Sequence, residues 1–248
     1  MKRTIVVISA GLGVPSSTRM LADQLAAAVS THLGELGAQA VLDVVDLRDY
    51  ATDIANNMVS GYAGPALSDV INRVAAADAM IAVTPTFSAS YSGLFKSFFD
   101  VLDPKFLDGM PVLFGATGGS SRHSLVLDMA IRPLFSYLRA HTMPTAVYAS
   151  PEDWGQGDGG ATGLEYRISQ GAGELAAVLV SASLPSAVAG TTPSAGDTFD
   201  SGSAPAIGGG FSPVPGFQPD HRAKRDARVR TEMTSLPFEQ LLAQTQRR

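Results

Sequence analysis

No cysteine occurs in the 248 residues, which excludes disulfides, thiolate zinc sites, iron–sulfur clusters and any cysteine nucleophile. Charge is sparse: 17% of residues are charged and the formal net charge is -5, with an isoelectric point near 5.3. A nucleic-acid binder presents a basic face to phosphates, so no nucleic-acid partner is expected. Long apolar runs are also missing. No stretch reaches the roughly twenty apolar residues of a membrane span, and the run at 5–8 is too short for the apolar region of a signal peptide. The expectation is a cytoplasmic protein that does not attach to membranes. What the chain does have is 45% hydrophobic residues, enough for one substantial core.

That apolar content is arranged in a repeat. Residues 4–8, 41–45, 79–84, 112–116 and 145–148 are short, largely apolar runs, and helical patterns follow them at 17–36, 66–77, 93–102, 125–140 and 163–183. Parallel strands need crossover connections, which are right-handed and cover both sheet faces. The pattern therefore predicts an α/β fold: a flavodoxin-like, doubly wound, five-stranded parallel sheet of order 2-1-3-4-5 over residues 1–185. Such a sheet binds ligands outside the carboxyl ends of strands 1 and 3. From 186 to 220 the chain turns to Gly, Pro, Ser, Thr and Ala, including Gly208-Gly209-Gly210, which reads as a flexible linker. Residues 221–248 form a basic, helix-prone tail. Its Phe238, Leu241 and Leu242 at i, i+3, i+4 suit docking on this protein, on a second copy or on a partner.

Three loops carry the chemistry-bearing residues, and all three leave the carboxyl edge of the predicted sheet. The first runs from Ser9 through Gly11 and Gly13 to Ser16, Ser17, Thr18 and Arg19 at a helix start. Free N–H groups and the helix dipole favour an anion there, and the hydroxyls add hydrogen bonds without charge. One hydroxyl suffices as a cap, so a phosphate accounts for the others. A dinucleotide fingerprint does not fit, because Ser16 stands at the third glycine position and Asp46 lies beyond the expected separation of about twenty. No Gly-Lys-Ser/Thr follows, so a Walker A loop is absent as well. A monophosphate fits better than a pyrophosphate. The second loop, Pro85-Thr86-Phe87-Ser88-Ala89-Ser90-Tyr91-Ser92, is rich in small hydroxyls. Pro85, which has no N–H, is expected to stop the strand before it. The third, Gly115-Ala116-Thr117-Gly118-Gly119-Ser120-Ser121-Arg122-His123-Ser124, allows close backbone approach at its adjacent glycines and adds two polar tips, Arg122 and His123.

In order on a βα repeat, Ser9, the Ser16–Thr18 cluster, Thr84-Pro85-x-Phe87-x-x-Ser90-x-Ser92-Gly93-x-x-Lys96-x-x-x-Asp100 and Thr117-Gly118-Gly119 resemble the NAD(P)H-dependent FMN reductases of the flavodoxin-like superfamily. The resemblance covers about residues 3–184. Gly118 to Leu125, Arg132 to Ala140 and Asp153-Trp154-Gly155 look like the branch that supplies reduced flavin to luciferase-like monooxygenases. The family implies hydride transfer from NADPH or NADH to FMN, with no catalytic side chain and no metal. It implies that Ser9, Ser16, Ser17 and Thr18 hold the flavin phosphate and that Pro85, Thr86, Phe87 and Ser88 line the isoalloxazine. Thr117, Gly118 and Gly119 are expected to back the ring. Beyond what the family implies, Arg122 beside this turn is the candidate for pairing with a phosphate of the nicotinamide cofactor, since a guanidinium can bind phosphate in a bidentate way, and His123 the candidate for flanking the flavin or the nicotinamide. Homodimers or tetramers are expected, with a luciferase-like flavin-dependent monooxygenase as partner. The competing readings are a flavodoxin-like electron carrier and an FMN-containing quinone or azo-dye reductase. A serine hydrolase would need Gly-x-Ser-x-Gly, and Ala89-Ser90-Tyr91-Ser92-Gly93 lacks the first glycine.

Overall fold

The computed structural model describes residues 1–154 and 163–182. The expected linker at 186–220 and tail at 221–248 lie outside the described residues. β1 (Lys2–Ser9), β2 (Gln39–Asp46), β3 (Ala79–Phe87) and β5 (Pro111–Thr117) form a parallel sheet of order β2-β1-β3-β5. Its last position is filled by two short parallel pieces, β6 (His141–Thr142) and β7 (Val147–Ala149), both paired with β5. This is the expected five-position order, with the fifth strand interrupted. The interruption has a local cause: Pro144 has no N–H to give, and the Thr145 N–H is diverted to Glu174 Oε2 at 2.8 Å.

Two cores sandwich the sheet. Leu21, Leu25 and Val29 of α1 (Ser17–Glu35) recur at helical spacing and pack with Ile168, Leu175 and Leu179 of α6 (Leu164–Ser181) against Ile5, Val7 and Ile81. On the opposite face α2 (Ala51–Ser60), α3 (Pro65–Ala76), α4 (Gly93–Asp100) and α5 (Arg132–Tyr137) cover Val6, Ile8, Met80 and Phe114. Alternate residues of β1 thus serve opposite cores, as period-two geometry requires. Phe95, Phe99 and Phe135 interlock there, with ring centroids 4.8 to 6.3 Å apart.

Several expectations need correction. α2 is a helix that the sequence pattern does not announce. The expected helix at 125–140 is broken into a π turn, Leu127–Ile131, followed by α5. Pro133 cannot donate an i→i-4 bond, and just before it the Arg132 N–H bonds Leu127 O, five residues back. β3 does not stop at Pro85. It continues to Phe87, with Pro85 in register with Thr117. β1 ends its pairing at Ser9↔Val83, so at Pro85 the strand has a free edge and the missing N–H costs no ladder bond. The expected loop at 85–92 is therefore a hairpin, with β4 (Ser90–Tyr91) antiparallel to β3.

Candidate functional site

The first loop is built by the end of β1 and the start of α1. Ser16 caps α1, its Oγ accepting from Arg19 N at 3.2 Å, which satisfies one of the orphan donors of the first turn. Ser17 is exposed. Thr18 is 2% exposed and its Oγ1 shares a hydrogen bond of 2.8 Å with Thr117 Oγ1, at the end of β5. Ser9 lies fully buried at the foot of the loop, and its Oγ has no hydrogen-bond partner. A Cβ on Gly11 would stand 2.0 Å from Ser16 Oγ, so only glycine leaves room for this cap. Charged pairs brace the outside: Arg19 reaches Asp23 at 2.8 Å and Asp46 at 2.6 Å, and Arg48 Nη1 donates to Gly13 O at 3.0 Å. Bonding to Asp23, reinforced by the charge of Asp46, outweighs burial and raises the Arg19 pKa above its ordinary value. A cavity of about 280 Å³ opens beside Gly11, Gly13, Ser16, Arg19, Asp46 and Arg48.

The second wall is the β3–β4 hairpin. Its two-residue tip, Ser88 (φ 49°) and Ala89 (φ 63°), lies in the left-handed region, as a primed hairpin turn demands. Neither residue is glycine, and such a conformation costs about 1 kcal/mol each. Buried Thr84 holds the base of the hairpin, its Oγ1 accepting from Ser92 N at 3.0 Å, while Ser92 caps α4 by accepting from Phe95 N. Phe87 is 48% exposed at the rim. Thr86 Oγ1 is buried without a hydrogen bond of normal geometry. It neighbours Tyr148, whose phenol gives its proton to Ser120 O at 2.8 Å. Burial pushes the Tyr148 pKa up, against a smaller opposing pull from Thr86, so the phenol remains a neutral donor.

Tyr148 also shapes the third loop. A Cβ on Gly118 would lie 2.1 Å from the Tyr148 hydroxyl and 3.5 Å from Thr86 Cβ, and Gly118 N bonds Ala149 O at 3.1 Å. Gly119 is exposed. Ser120 caps the short turn Ser121–His123, and Arg122 and His123 are both exposed on it. Behind this loop Asp153 accepts from Ser150 N and Ser150 Oγ, each at 2.8 Å, and from Arg167 Nη2 at 2.6 Å. Arg167 Nη1 donates to Tyr148 O at 2.8 Å. Burial alone raises the Asp153 pKa, but the two bonds from Ser150 and the Arg167 charge overcome it and hold the carboxyl below its ordinary value.

The three loops thus meet at the carboxyl edge of β1, β3 and β5. Thr18 and Thr117 join the first to the third, and Pro85 sits in register with Thr117 between them. Among the expected phosphate residues, Ser16 lines the cavity, Ser9 lies beneath the loop, Ser17 faces solvent and Thr18 is bonded to Thr117. Sequence reasoning misses Tyr148 and Arg48. Tyr148 stands at the end of the last predicted sheet run and at the centre of β7, and Arg48 stands two residues after the strand-ending Asp46 that faces the first loop. Among the described residues there is no group of three His, Cys, Asp or Glu able to hold a metal, and no helix long and apolar enough to cross a membrane.

The donor set suits a phosphate-bearing ligand: a buried, partnerless hydroxyl at Ser9 and a helix N-terminus without acidic residues in its first turn. Comparison with known proteins points the same way. The family model of NADPH-dependent FMN reductase matches residues 3–155. The FMN reductase (NADPH) of Pseudomonas aeruginosa is 38% identical over 152 residues, covering 60% of this chain and 78% of the relative. The NADH-dependent FMN reductase SfnF of Pseudomonas putida is 35% identical over 152 residues, covering 61% and 80%. Among solved structures, an oxidoreductase from Corynebacterium diphtheriae aligns with TM-score 0.70 and 43% identity over 73% of this chain and 98% of its own. The NADH:FMN oxidoreductase EmoB aligns with TM-score 0.58 and 26% identity over 72% and 89%.

Proposed function

The chain belongs to the NADPH-dependent FMN reductase family, and on that premise we propose that it releases reduced FMN to a luciferase-like flavin-dependent monooxygenase. The protein is an NAD(P)H-dependent FMN oxidoreductase, with FMN and NADPH or NADH as its cofactors. When bound, FMN would supply the redox chemistry as the acceptor of a hydride from the nicotinamide. This transfer needs no side-chain nucleophile or base, so the work of the chain is to bind, orient and hold the two rings.

In this reading Ser9, Ser16, Ser17 and Thr18 serve the phosphate with the N–H groups of the first turn of α1. Pro85, Thr86, Phe87 and Ser88 form one wall of the ring site, the hairpin carrying the half-exposed Phe87 at its rim. Thr117, Gly118 and Gly119 form the other wall. Arg122, exposed on its own turn, pairs with a phosphate of the nicotinamide cofactor, and His123 flanks the rings. The observation that supports this site is the joining of the first and third loops through Thr18 and Thr117, with the buried, partnerless Ser9 hydroxyl at the foot of the first loop. A homodimer or tetramer in the cytoplasm is the proposed working form.

The test is purified protein with FMN and either NADPH or NADH, followed by nicotinamide absorbance and then by coupling to a flavin-dependent monooxygenase. Nicotinamide oxidation that depends on FMN, with turnover of the monooxygenase, is expected. Flavin binding without nicotinamide oxidation indicates an electron carrier instead. Oxidation that proceeds only with a quinone or azo dye moves the function to those acceptors. Arg122→Ala is expected to raise the KM for NADPH, and an unchanged KM removes its phosphate-pairing role.

A further inference from the structure

The first loop has a charge problem that its serines do not solve. Arg19, the basic residue within the loop–helix segment, has its guanidinium committed to Asp23 and Asp46. Of the charged side chains lining the cavity, Arg19 and Asp46 cancel, which leaves Arg48 as the net positive charge. Arg48 reaches the loop from the 3-10 turn Leu47–Tyr50 after β2. Its Nη1 donates to Gly13 O at 3.0 Å, and its Nε lies 3.5 Å from Asp49, whose side chain is 64% exposed. An ion pair that open to solvent neutralises little. A guanidinium carries five N–H donors, and the Gly13 carbonyl takes one.

We propose that Arg48 supplies the counter-charge for the phosphate monoester of FMN, and so lets the protein distinguish FMN from riboflavin. This rests on the reading above that the first loop holds the flavin phosphate. Two observations independent of Arg48 mark the loop it clamps as an anion site: the buried Ser9 Oγ without a partner at the foot of that loop, and, at its other end, the start of a 19-residue helix free of acidic residues in its first turn. The bond to Gly13 O has a second effect. It draws that carbonyl toward the guanidinium, so the loop does not offer it to an incoming anion. Arg48 thus acts twice, as a charge and as a clamp, and the two roles are separable by substitution.

The experiment measures FMN and riboflavin affinity by flavin fluorescence for the full chain, with Arg48→Ala, Arg48→Gln and Arg48→Lys beside the parent. Glutamine can still donate to Gly13 O but carries no charge. Both Arg48→Ala and Arg48→Gln are expected to weaken FMN about tenfold or more, with riboflavin unchanged, as loss of a charge-assisted bond to phosphate implies. Arg48→Lys is expected to recover most of the loss. The parent's FMN affinity is expected to fall more steeply with salt than that of Arg48→Gln. Parent-like FMN binding by Arg48→Gln overturns the proposal, because the arginine is then only a clamp. Parallel loss of riboflavin overturns it as well, as a general packing defect. Failure of the parent itself to bind FMN strikes the underlying assignment of the loop, which separates the two results.

Discussion

The first and third loops stand at the same sheet edge and are held in opposite ways. The first is braced from outside by charged, partly exposed side chains: Arg19 with Asp23 and Asp46, and Arg48 on the Gly13 carbonyl. The third is braced from within by the nearly buried Tyr148, whose hydroxyl bonds Ser120 O and fills the space of a Gly118 Cβ. The difference separates adjustability from rigidity. Exposed ion pairs yield to salt and to small movements, whereas a buried phenol seated in a packed core does not. The loop proposed to take the flavin phosphate is the adjustable one, and the loop proposed to back the flat ring is the rigid one.

The contrast is sharpest at the two glycines. Gly118→Ala drives a methyl into Tyr148, which is 3% exposed and has nowhere to go. The expected result is a loss of about 1 to 3 kcal/mol, read as a fall in melting temperature of roughly 2 to 4 °C for each kcal/mol, with loss of flavin binding. Gly11→Ala meets an obstacle just as close, but that obstacle is the Ser16 hydroxyl, which can rotate away. Its expected loss is the cap alone, about 1 kcal/mol. Thermal melts that rank Gly11→Ala as the more damaging would reverse the comparison.

The bond between the loops comes next in size. Thr18→Val and Thr117→Val are each expected to cost about 0.5 to 1.5 kcal/mol. In a double-mutant cycle on urea unfolding, the pair is expected to lose less than the sum of the two. Strict additivity would mean that the hydroxyls do not couple the loops. The smallest effect is the pH dependence behind the third loop. The Asp153 pKa is depressed in the folded chain by Ser150 and Arg167, so its stabilisation is complete above the ordinary carboxylate pKa near 3.9. It is lost as pH falls through the lower folded value. Asp153→Asn should flatten the acid limb of an unfolding curve followed by circular dichroism. An unchanged acid limb would show that Ser150 and Arg167 do not act through the charge of Asp153.

Much of this was legible in the sequence for a physical reason: doubly buried strands are apolar throughout, and ligand loops concentrate glycine and hydroxyls at strand ends. Sheet order and the three loops follow from that. The hairpin did not, because whether Pro85 ends a strand depends on whether a neighbour needs its N–H, and β1 has already ended there. α2 was hidden by its shortness and by how little it gives the core: among its ten residues only Ile54 is buried, while Met58 and Val59 face solvent. Of the site, the glycines and serines could be read, but Tyr148 and Arg48 could not be assigned. Each acts on a loop remote in sequence, 28 residues away for the bond from Tyr148 to Ser120 and 35 for that from Arg48 to Gly13.

The hydrogen bond between Thr18 and Thr117 spans 99 residues of chain. Contacts of such separation close large loops of the unfolded chain, and their entropy must be met before they are rewarded. Neither half of the sheet can present both loops in register by itself, so a partly folded chain offers no complete site. A ligand that requires both loops binds the finished fold and not its precursors, and by mass action it favours that finished fold. During biogenesis, flavin loading would then report that β1, β3 and β5 have come together, and a supply of FMN would raise the yield of folded protein.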